Sequence, residues 1–492
     1  MLAEHGGGAK RGPQHACNHR GSWIWWQDMA KPRDASVPLP GRARFKGEPD
    51  REAPLKSREA APRPALRAID GMAMVIGLVV GAGIFRAPAE VAANLGSASA
   101  ILLSWLLGGV VSVLGALCYA ELAAAFPHAG GEYHFLQRAY GKTVSFVFAW
   151  SRMLILQTGS IALLAFVMAD YVAAIVPLDA RATAAVAGGG VVLLTALNLA
   201  GLRSSTAMQN VLTLVTVGGL VAIIVAGLLA PAAPAAAPLP PPQGGTFGLA
   251  MVFVLLTYGG WNEAAYVSAE LRNVQRNMGR VLLASLALVT VMYLLINLAY
   301  LKVLGVTPMA QSDAVTAELV RRSLGQDGAR LSSLLIVIAV LSSINVTIFT
   351  GARTNYALAR DFPTFAFLGH WSARTHAPTR ALLVQGTVAL LLVIAGAASR
   401  SGFEAMVSYV SPVFWSFFLL TTLALVVLRR RDPTRVRPFR VPGYPATPLL
   451  FAAACGYMLY ASLAYSGWGA LFGVLIAASG LPVALWRTRR AA

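Results

Sequence analysis

Gly81-Ala82-Gly83-Ile84-Phe85 interrupts an apolar run from Ala68 to Ala93 that is long enough to cross a membrane. A second cluster, Tyr258-Gly259-Gly260-Trp261-Asn262, interrupts the apolar run from Thr246 to Ala269. Glycine costs a helix interior about 1 kcal/mol relative to alanine, so both clusters predict a helix break. In lipid, a broken helix is tolerated only where the freed backbone lines a cavity enclosed by protein. The sequence therefore predicts a membrane protein with one internal break in each half.

The composition excludes an ordinary soluble domain. Of 492 residues, 57 % are hydrophobic and 12 % are charged, and the mean hydropathy is +0.62, whereas a soluble domain has about 25 % charged residues. The net charge of +19 does not indicate nucleic-acid binding, because the basic residues lie in an N-terminal segment and in short loops. The three cysteines form no disulfide framework, and no Cys/His spacing predicts a metal or a cofactor.

Twelve apolar segments follow the N-terminal region, and each is long enough for a helix that crosses about 30 Å of hydrocarbon. They are residues 68–93, 98–126, 143–176, 182–201, 207–230, 246–270, 280–304, 331–359, 380–398, 403–428, 446–465 and 468–486. We therefore expect an all-α polytopic membrane protein with twelve spans, of which the first and the sixth are broken.

Composition also predicts the segments outside the spans. Residues 1–67 are rich in Gly, Pro and basic residues and are expected to form a disordered cytoplasmic tail. Residues 231–245 form an Ala/Pro-rich connector, expected outside the cell. Residues 429–492 hold the last two spans and a short C-terminus. Most loop arginines and lysines fall on the side of the N-terminus, so both termini are predicted to be cytoplasmic at the cell membrane.

The two breaks offer opposite hydrogen-bonding groups. Arg86-Ala87-Pro88 opens a half-helix whose N-terminus carries unpaired N–H groups and about half a positive charge, which suits a carboxylate. The half-helix that ends near Tyr258 presents unpaired carbonyls and the negative end of its dipole, which suits an ammonium group. An α-amino acid carries both groups. A pair of such breaks indicates the binding site of a secondary transporter.

Other interpretations of the same residues remain open at this point. Gly77-x-x-x-Gly81 also matches the small-residue pattern of close helix packing. The cargo could be a polyamine or another organic cation instead of an amino acid. A sensor or scaffold of the same architecture is a further alternative. A membrane-embedded enzyme is not expected, because such a site needs clustered acidic, His or Ser side chains and all seven histidines lie in the tail or in loops.

Several motifs resemble the amino acid–polyamine–organocation superfamily of permeases. Residues 77–88 resemble the first-helix signature of that family, and residues 119–141 resemble its second helix and first cytoplasmic loop. Residues 258–273 resemble its sixth helix with the loop that follows, and residues 343–361 resemble its eighth helix. Within the superfamily, the sequence is most similar to the Na⁺-independent and L-type amino acid transporters.

This resemblance implies a LeuT-type fold with a 5+5 inverted repeat and two additional helices. Residues 68–230 would form the first repeat and residues 246–428 the second. It implies alternating-access transport of an α-amino acid, as an exchanger, a uniporter or an H⁺-coupled symporter. The protein would be embedded in the lipid bilayer. The candidate substrate-binding residues are Val80, Gly81, Ala82, Gly83, Ile84, Leu256, Thr257, Tyr258, Gly259 and Asn262.

Charged and polar residues near the spans are candidates for gating or coupling. They are Glu121, Tyr133, Thr216, Glu263, Glu270, Ser342, Ser343 and Asn345. Two positions depart from the family pattern: Leu256 stands where L-type members carry a Phe gate, and Thr216 stands where many relatives carry a Lys. Proton coupling through that lysine is therefore not expected. Arg86 and Arg152 are expected near the interfaces, where their side chains could snorkel towards water. Arg86 also lies beside the first break, so its role stays open.

Overall fold

The computed structural model of the protein describes residues 67–128, 130–200, 206–232, 247–265, 268, 271–372, 375, 377–399, 401–465 and 467–491. The predicted tail 1–67, except its last residue, lies outside the described residues. So do most of the predicted connector 231–245 and the gating candidate Glu270.

The described part of the chain is helical, apart from its loops and one isolated bridge between Ser372 and Ala377. Its α-helices are, in chain order, α1 (Ala68–Val79), α2 (Gly83–Leu95), α3 (Ala98–Ala125), α4 (Gly131–Tyr140), α5 (Lys142–Ser151), α6 (Gln157–Ala173), α7 (Ala180–Leu199), α8 (Thr206–Leu229), α9 (Phe247–Thr257), α10 (Val274–Val303), α11 (Val306–Ala310), α12 (Val315–Asp361), α13 (Thr379–Ala397), α14 (Gly402–Arg431), α15 (Ala446–Tyr465) and α16 (Gly467–Ala491).

Length and apolar composition identify the membrane spans. Among the described residues, nine helical segments are long and apolar enough to cross a membrane, and α1 with α2 makes a tenth if the bent pair counts as one span. Two shorter apolar helices, Leu214–Leu229 and Phe247–Thr257, lie in the regions of the fifth and sixth predicted spans. The prediction of an all-α polytopic membrane protein is thereby confirmed.

Regular α-helical geometry is interrupted at three places near the two glycine clusters. Between α1 and α2 the helix axis bends by 45°. After α9 a turn leads into a short 3-10 helix, Trp261–Ala265. Between α5 and α6 lies a π-helical segment, Arg152–Leu156, which the sequence did not predict. Inserted π turns inside α-helices often occur at functional sites.

Close packing around α3 depends on a glycine, which has no side chain. Gly109 is buried on α3, and a Cβ added there would lie 2.4 Å from Oγ1 of Thr290 on α10. Thr290 is β-branched, so its side chain has few alternative rotamers with which to move away. In a membrane, helices associate mainly through such close packing, because lipid is as apolar as the helix surfaces.

We predict that Gly109→Ala lowers the melting temperature of the purified protein, because overpacking costs about 1–3 kcal/mol. The matched control is Gly189→Ala on α7, where a Cβ would meet no atom within 4 Å. Alanine also has the higher helix propensity, so the control is expected to be neutral or slightly stabilising. Equal melting temperatures for the two variants would contradict this account of α3 packing.

Candidate functional site

The two breaks lie directly against each other, although they are far apart in the sequence. A Cβ added to Gly83 would lie 3.1 Å from Oγ1 of Thr257, and one added to Gly260 would lie 2.8 Å from the carbonyl oxygen of Leu78. Gly260 also has a φ angle of 108°, a backbone conformation that residues other than glycine rarely adopt. Glycine at these two positions therefore lets the main chains of both breaks come into contact.

The glycines at the breaks are more accessible than most of the candidate residues around them. Gly81, Gly83, Leu256 and Gly259 are half-buried. The neighbouring candidates from the sequence are buried, namely Val80, Ala82, Ile84, Thr257, Tyr258 and Asn262. Glycine has only main-chain atoms, so the exposed part of Gly81, Gly83 and Gly259 is backbone.

The first break contains the N-terminus of a helix. The amide of Gly81, just before it, donates to the carbonyl oxygen of Val79 at 2.7 Å. The helix α2 starts at Gly83, and in the described structure no side chain caps its N-terminus at Ala82. The amide of Phe85 donates to the carbonyl oxygen of Ala82 at 3.1 Å, but the first N–H groups of a helix have no intrahelical partner. This end of α2 is suited to an anionic group.

The second break offers acceptors and is shaped by Asn262. The helix α9 ends at Thr257, and its last carbonyls lie at the negative end of the dipole. The amide of Gly260 donates to Oδ1 of Asn262 at 3.3 Å, so this side chain supports the turn. Its Nδ2 lies 3.5 Å from Oε1 of Glu132 on α4.

Tyr293 on α10 connects the two breaks, and the sequence analysis missed it. Its hydroxyl group donates to the carbonyl oxygen of Val79 at 2.8 Å and lies 3.2 Å from that of Thr257. The side chain is fully buried. A buried tyrosine hydroxyl usually needs a hydrogen-bond partner, so the two tyrosines in the predicted apolar span 280–304 were the signal available in the sequence.

Glu121 forms a separate polar cluster at the end of α3. Its buried carboxylate accepts hydrogen bonds from Nε and Nη2 of Arg429 and from the amide of Val441, and Nε of Arg437 lies at 3.4 Å. The carboxylate therefore connects α3 to the end of α14 and to the segment that follows it. Neither arginine was singled out from the sequence as a partner of Glu121.

Glu263 follows the second break and pairs with Arg152 in the π-helical segment. Nη2 of Arg152 lies 3.1 Å from both carboxylate oxygens of Glu263. The amide of Glu263 donates to the carbonyl oxygen of Gly260, so the pair adjoins the break. Arg152 is 5 % exposed; the expectation that it snorkels towards water is wrong, because Glu263 neutralises it inside the protein.

The same correction applies to Arg86 on α2. This residue is 6 % exposed. Its Nη2 lies 3.1 Å from Glu90 and 2.9 Å from Asp313, and its Nε lies 3.7 Å from Asp170. Acidic partners on three segments thus keep its side chain within the protein.

The remaining candidates lie in different surroundings. Tyr133 is half-buried on α4 beside Glu132, which accepts a hydrogen bond from the hydroxyl of Tyr119. Oγ of Ser343 donates to the carbonyl oxygen of Ala339 within α12. The other three are placed as follows: Asn345 accepts from Asn198 of α7 at 2.7 Å, Ser342 is buried on α12, and Thr216 is half-buried on α8.

Two further features are distinct from the breaks. Stacked rings of His128 and His134 lie 4.2 Å apart in the loop region around α4. Burial, together with the charges of His128, Arg138 and Arg435, lowers the pKa of His134 to about 4, so this imidazole is neutral at pH 7.

The described residues contain no group of three or more His, Cys, Asp or Glu side chains that could hold a metal ion.

A groove of about 250 Å³ is bordered by α5, α14 and α16. Its lining is almost entirely apolar and includes Val147, Phe417 and Ala477. None of its lining residues belongs to either break, so it is not the candidate site.

Comparison with known proteins identifies the family. The family model described as amino acid permease matches residues 69–484. The chain therefore belongs to the amino acid permease family, which confirms the resemblance inferred from the motifs. Membership in a family of transporters also argues against the membrane-embedded enzyme.

Individual relatives match over most of their length. The b(0,+)-type amino acid transporter 1 of Rattus norvegicus is 30 % identical over 434 residues, which are 84 % of this chain and 85 % of the relative. The Asc-type amino acid transporter 1 of Mus musculus is 27 % identical over 452 residues, which are 88 % of this chain and 83 % of the relative. The large neutral amino acids transporter small subunit 2 of Mus musculus has the same identity and coverage.

We predict that Arg152 and Glu263 are energetically coupled. Arg152→Met and Glu263→Gln should each lower the melting temperature, because either change leaves an uncompensated charge or acceptor in a poorly solvated place. The double variant should lose less than the two single effects added together, with a coupling of about 1–3 kcal/mol.

The control cycle uses Arg321→Met and Glu318→Gln on α12, where the arginine side chain is 51 % exposed. An exposed pair is expected to couple by less than about 1 kcal/mol. Additive effects of Arg152→Met and Glu263→Gln would show that their contact contributes nothing to the folded state.

Proposed function

We propose that this permease carries α-amino acids across the cell membrane by alternating access, and that it recognises them through the main chain at its two breaks. The amides of Ala82, Gly83 and Ile84 would bind the substrate carboxylate, next to Gly81, whose own amide donates to the carbonyl oxygen of Val79 at 2.7 Å. The carbonyls of Leu256, Thr257 and Gly259 would bind the ammonium group. The observation that carries this proposal is the direct contact between an uncapped helix N-terminus and a helix C-terminus.

The proposal includes the full LeuT-type topology. In it, α1 with α2 forms the broken first span, and α9 with the following 3-10 helix forms the broken sixth span. Residues 68–230 form the first repeat, residues 246–428 the second, and α15 and α16 the additional pair. The 45° bend after α1 and the helix end at Thr257 support this assignment. The distribution of basic loop residues supports cytoplasmic termini.

The gating candidates divide into two groups in this proposal. Glu121 and Tyr133, with Glu270, would act at the cytoplasmic closure, where the contact between Glu121 and Arg429 supports the assignment. Glu263 would act next to the site through its pairing with Arg152. Thr216, Ser342, Ser343 and Asn345 are proposed as coupling residues on the supporting spans. The driving mode is exchange, uniport or H⁺ symport.

A polyamine cargo is not favoured. The names of the three relatives above each specify amino acids. A polyamine also has no carboxylate, and the uncapped start of α2 would then be left without a partner.

We predict that blocking the carboxylate abolishes recognition. In proteoliposomes that contain the purified protein, L-leucine and L-alanine should compete for uptake of a radiolabelled amino acid, whereas their methyl esters should not. The ester keeps the ammonium group but removes the negative charge that the N-terminus of α2 would bind. Equal competition by esters and free acids would contradict the carboxylate role of the first break.

We also predict that Gly83→Leu stops uptake while membrane insertion is retained. Its side chain would fill the contact with Thr257, which a Cβ alone already approaches to 3.1 Å. Gly189→Leu is the control, because position 189 is exposed and open, and it should transport normally. Normal uptake by Gly83→Leu would remove the site from this position.

A further inference from the structure

One hydroxyl group holds the ends of both half-helices. Val79 is the last residue of α1 and Thr257 is the last residue of α9. Both carbonyl oxygens lie within hydrogen-bond distance of the Tyr293 hydroxyl, at 2.8 and 3.2 Å. A hydroxyl group has a single proton, so the two carbonyls share one donor. The separation between the two helix ends is therefore tied to the position of a single oxygen atom.

Aromatic packing fixes the position of that oxygen. The ring of Tyr293 packs edge-on against Trp105 of α3 at 5.4 Å and against Tyr258 at 5.0 Å. The hydroxyl of Tyr258 in turn donates to the carbonyl oxygen of Trp105 at 3.0 Å. Each of these three side chains is fully buried. Aromatic pairs of this geometry add about 0.5–1.5 kcal/mol each beyond their buried area, so the ring has little freedom to move.

We propose that Tyr293 is a positioning residue that sets the distance between the donors of the first break and the acceptors of the second. This inference rests on the proposed function. The carboxylate and ammonium groups of an α-amino acid are separated by one carbon atom, so their distance is nearly fixed. A site that binds both groups must be held to within about 0.5 Å of the correct geometry. Tyr293 makes the permease selective for α-amino acids over isomers with wider charge separation.

The test compares pairs of amino acids that differ in that separation. L-Alanine and β-alanine are isomers with the same atoms and charges, and β-homoleucine has the side chain of L-leucine with one extra methylene between its charged groups. Affinities of the purified full-length chain for all four compounds would be measured by calorimetry. The wild type is expected to prefer the α-amino acid of each pair.

Tyr293→Phe should reduce this α-to-β preference about tenfold, which corresponds to about 1.4 kcal/mol and to the loss of one buried hydrogen bond. The matched control is Tyr300→Phe on the same helix, seven residues further on. Its hydroxyl is buried and hydrogen-bonded to Oγ1 of Thr316 at 2.6 Å. The control should lose stability in the same way and keep the wild-type preference.

Incorporation of 4-aminophenylalanine at position 293 provides a rescue, because this side chain keeps an N–H donor near the two carbonyls. It should restore most of the α-to-β preference. An unchanged preference in Tyr293→Phe, or an equal loss in Tyr300→Phe, would overturn the inference and leave the proposed function intact. A wild type that binds both compounds of each pair equally would also overturn the inference, whereas a wild type that binds none of the four compounds would contradict the proposed function.

Discussion

The contact between two unwound main-chain segments is the constraint on which the rest of the structure depends. A Cβ at Gly260 would lie only 2.8 Å from the carbonyl oxygen of Leu78, and a Cβ at Gly83 would be in tight contact with Thr257 at 3.1 Å. Because lipid cannot satisfy free amides and carbonyls, these segments must be enclosed by other helices. Packing of α3 and α10 through Gly109 and Thr290 belongs to that enclosure.

Side chains around the breaks mainly hold the main chain in position. Tyr293 fixes the helix ends, Asn262 shapes the turn after α9, and Glu263 neutralises Arg152 beside the second break. In the proposed function, the groups that bind the ligand are peptide dipoles, whose positions the fold determines. This division explains how amino acids with different side chains could share one site, because the recognised atoms are common to all of them.

Much of the fold could be predicted from the sequence, and particular residues show why the rest could not. Apolar length predicted helices over the regions of α1, α2 and α9, and the glycine cluster lies at the 45° bend between α1 and α2, because both signals are local. The π-helical segment at Arg152 and the partners of Glu121 depend on residues distant in the sequence, so no local pattern indicated them. Arg86 and Arg152 were expected to snorkel, since the sequence did not show which acidic residues would neutralise them. Tyr293 escaped notice because its role exists only where three helices meet.

A density map of the protein with a bound amino acid would test the central claim most directly. The account predicts the carboxylate at about 3 Å from the amides between Gly81 and Ile84, and the ammonium group at the carbonyls near Thr257. A ligand held mainly by charged side chains away from both breaks, or a continuous helix through Gly81 and Gly83, would contradict it.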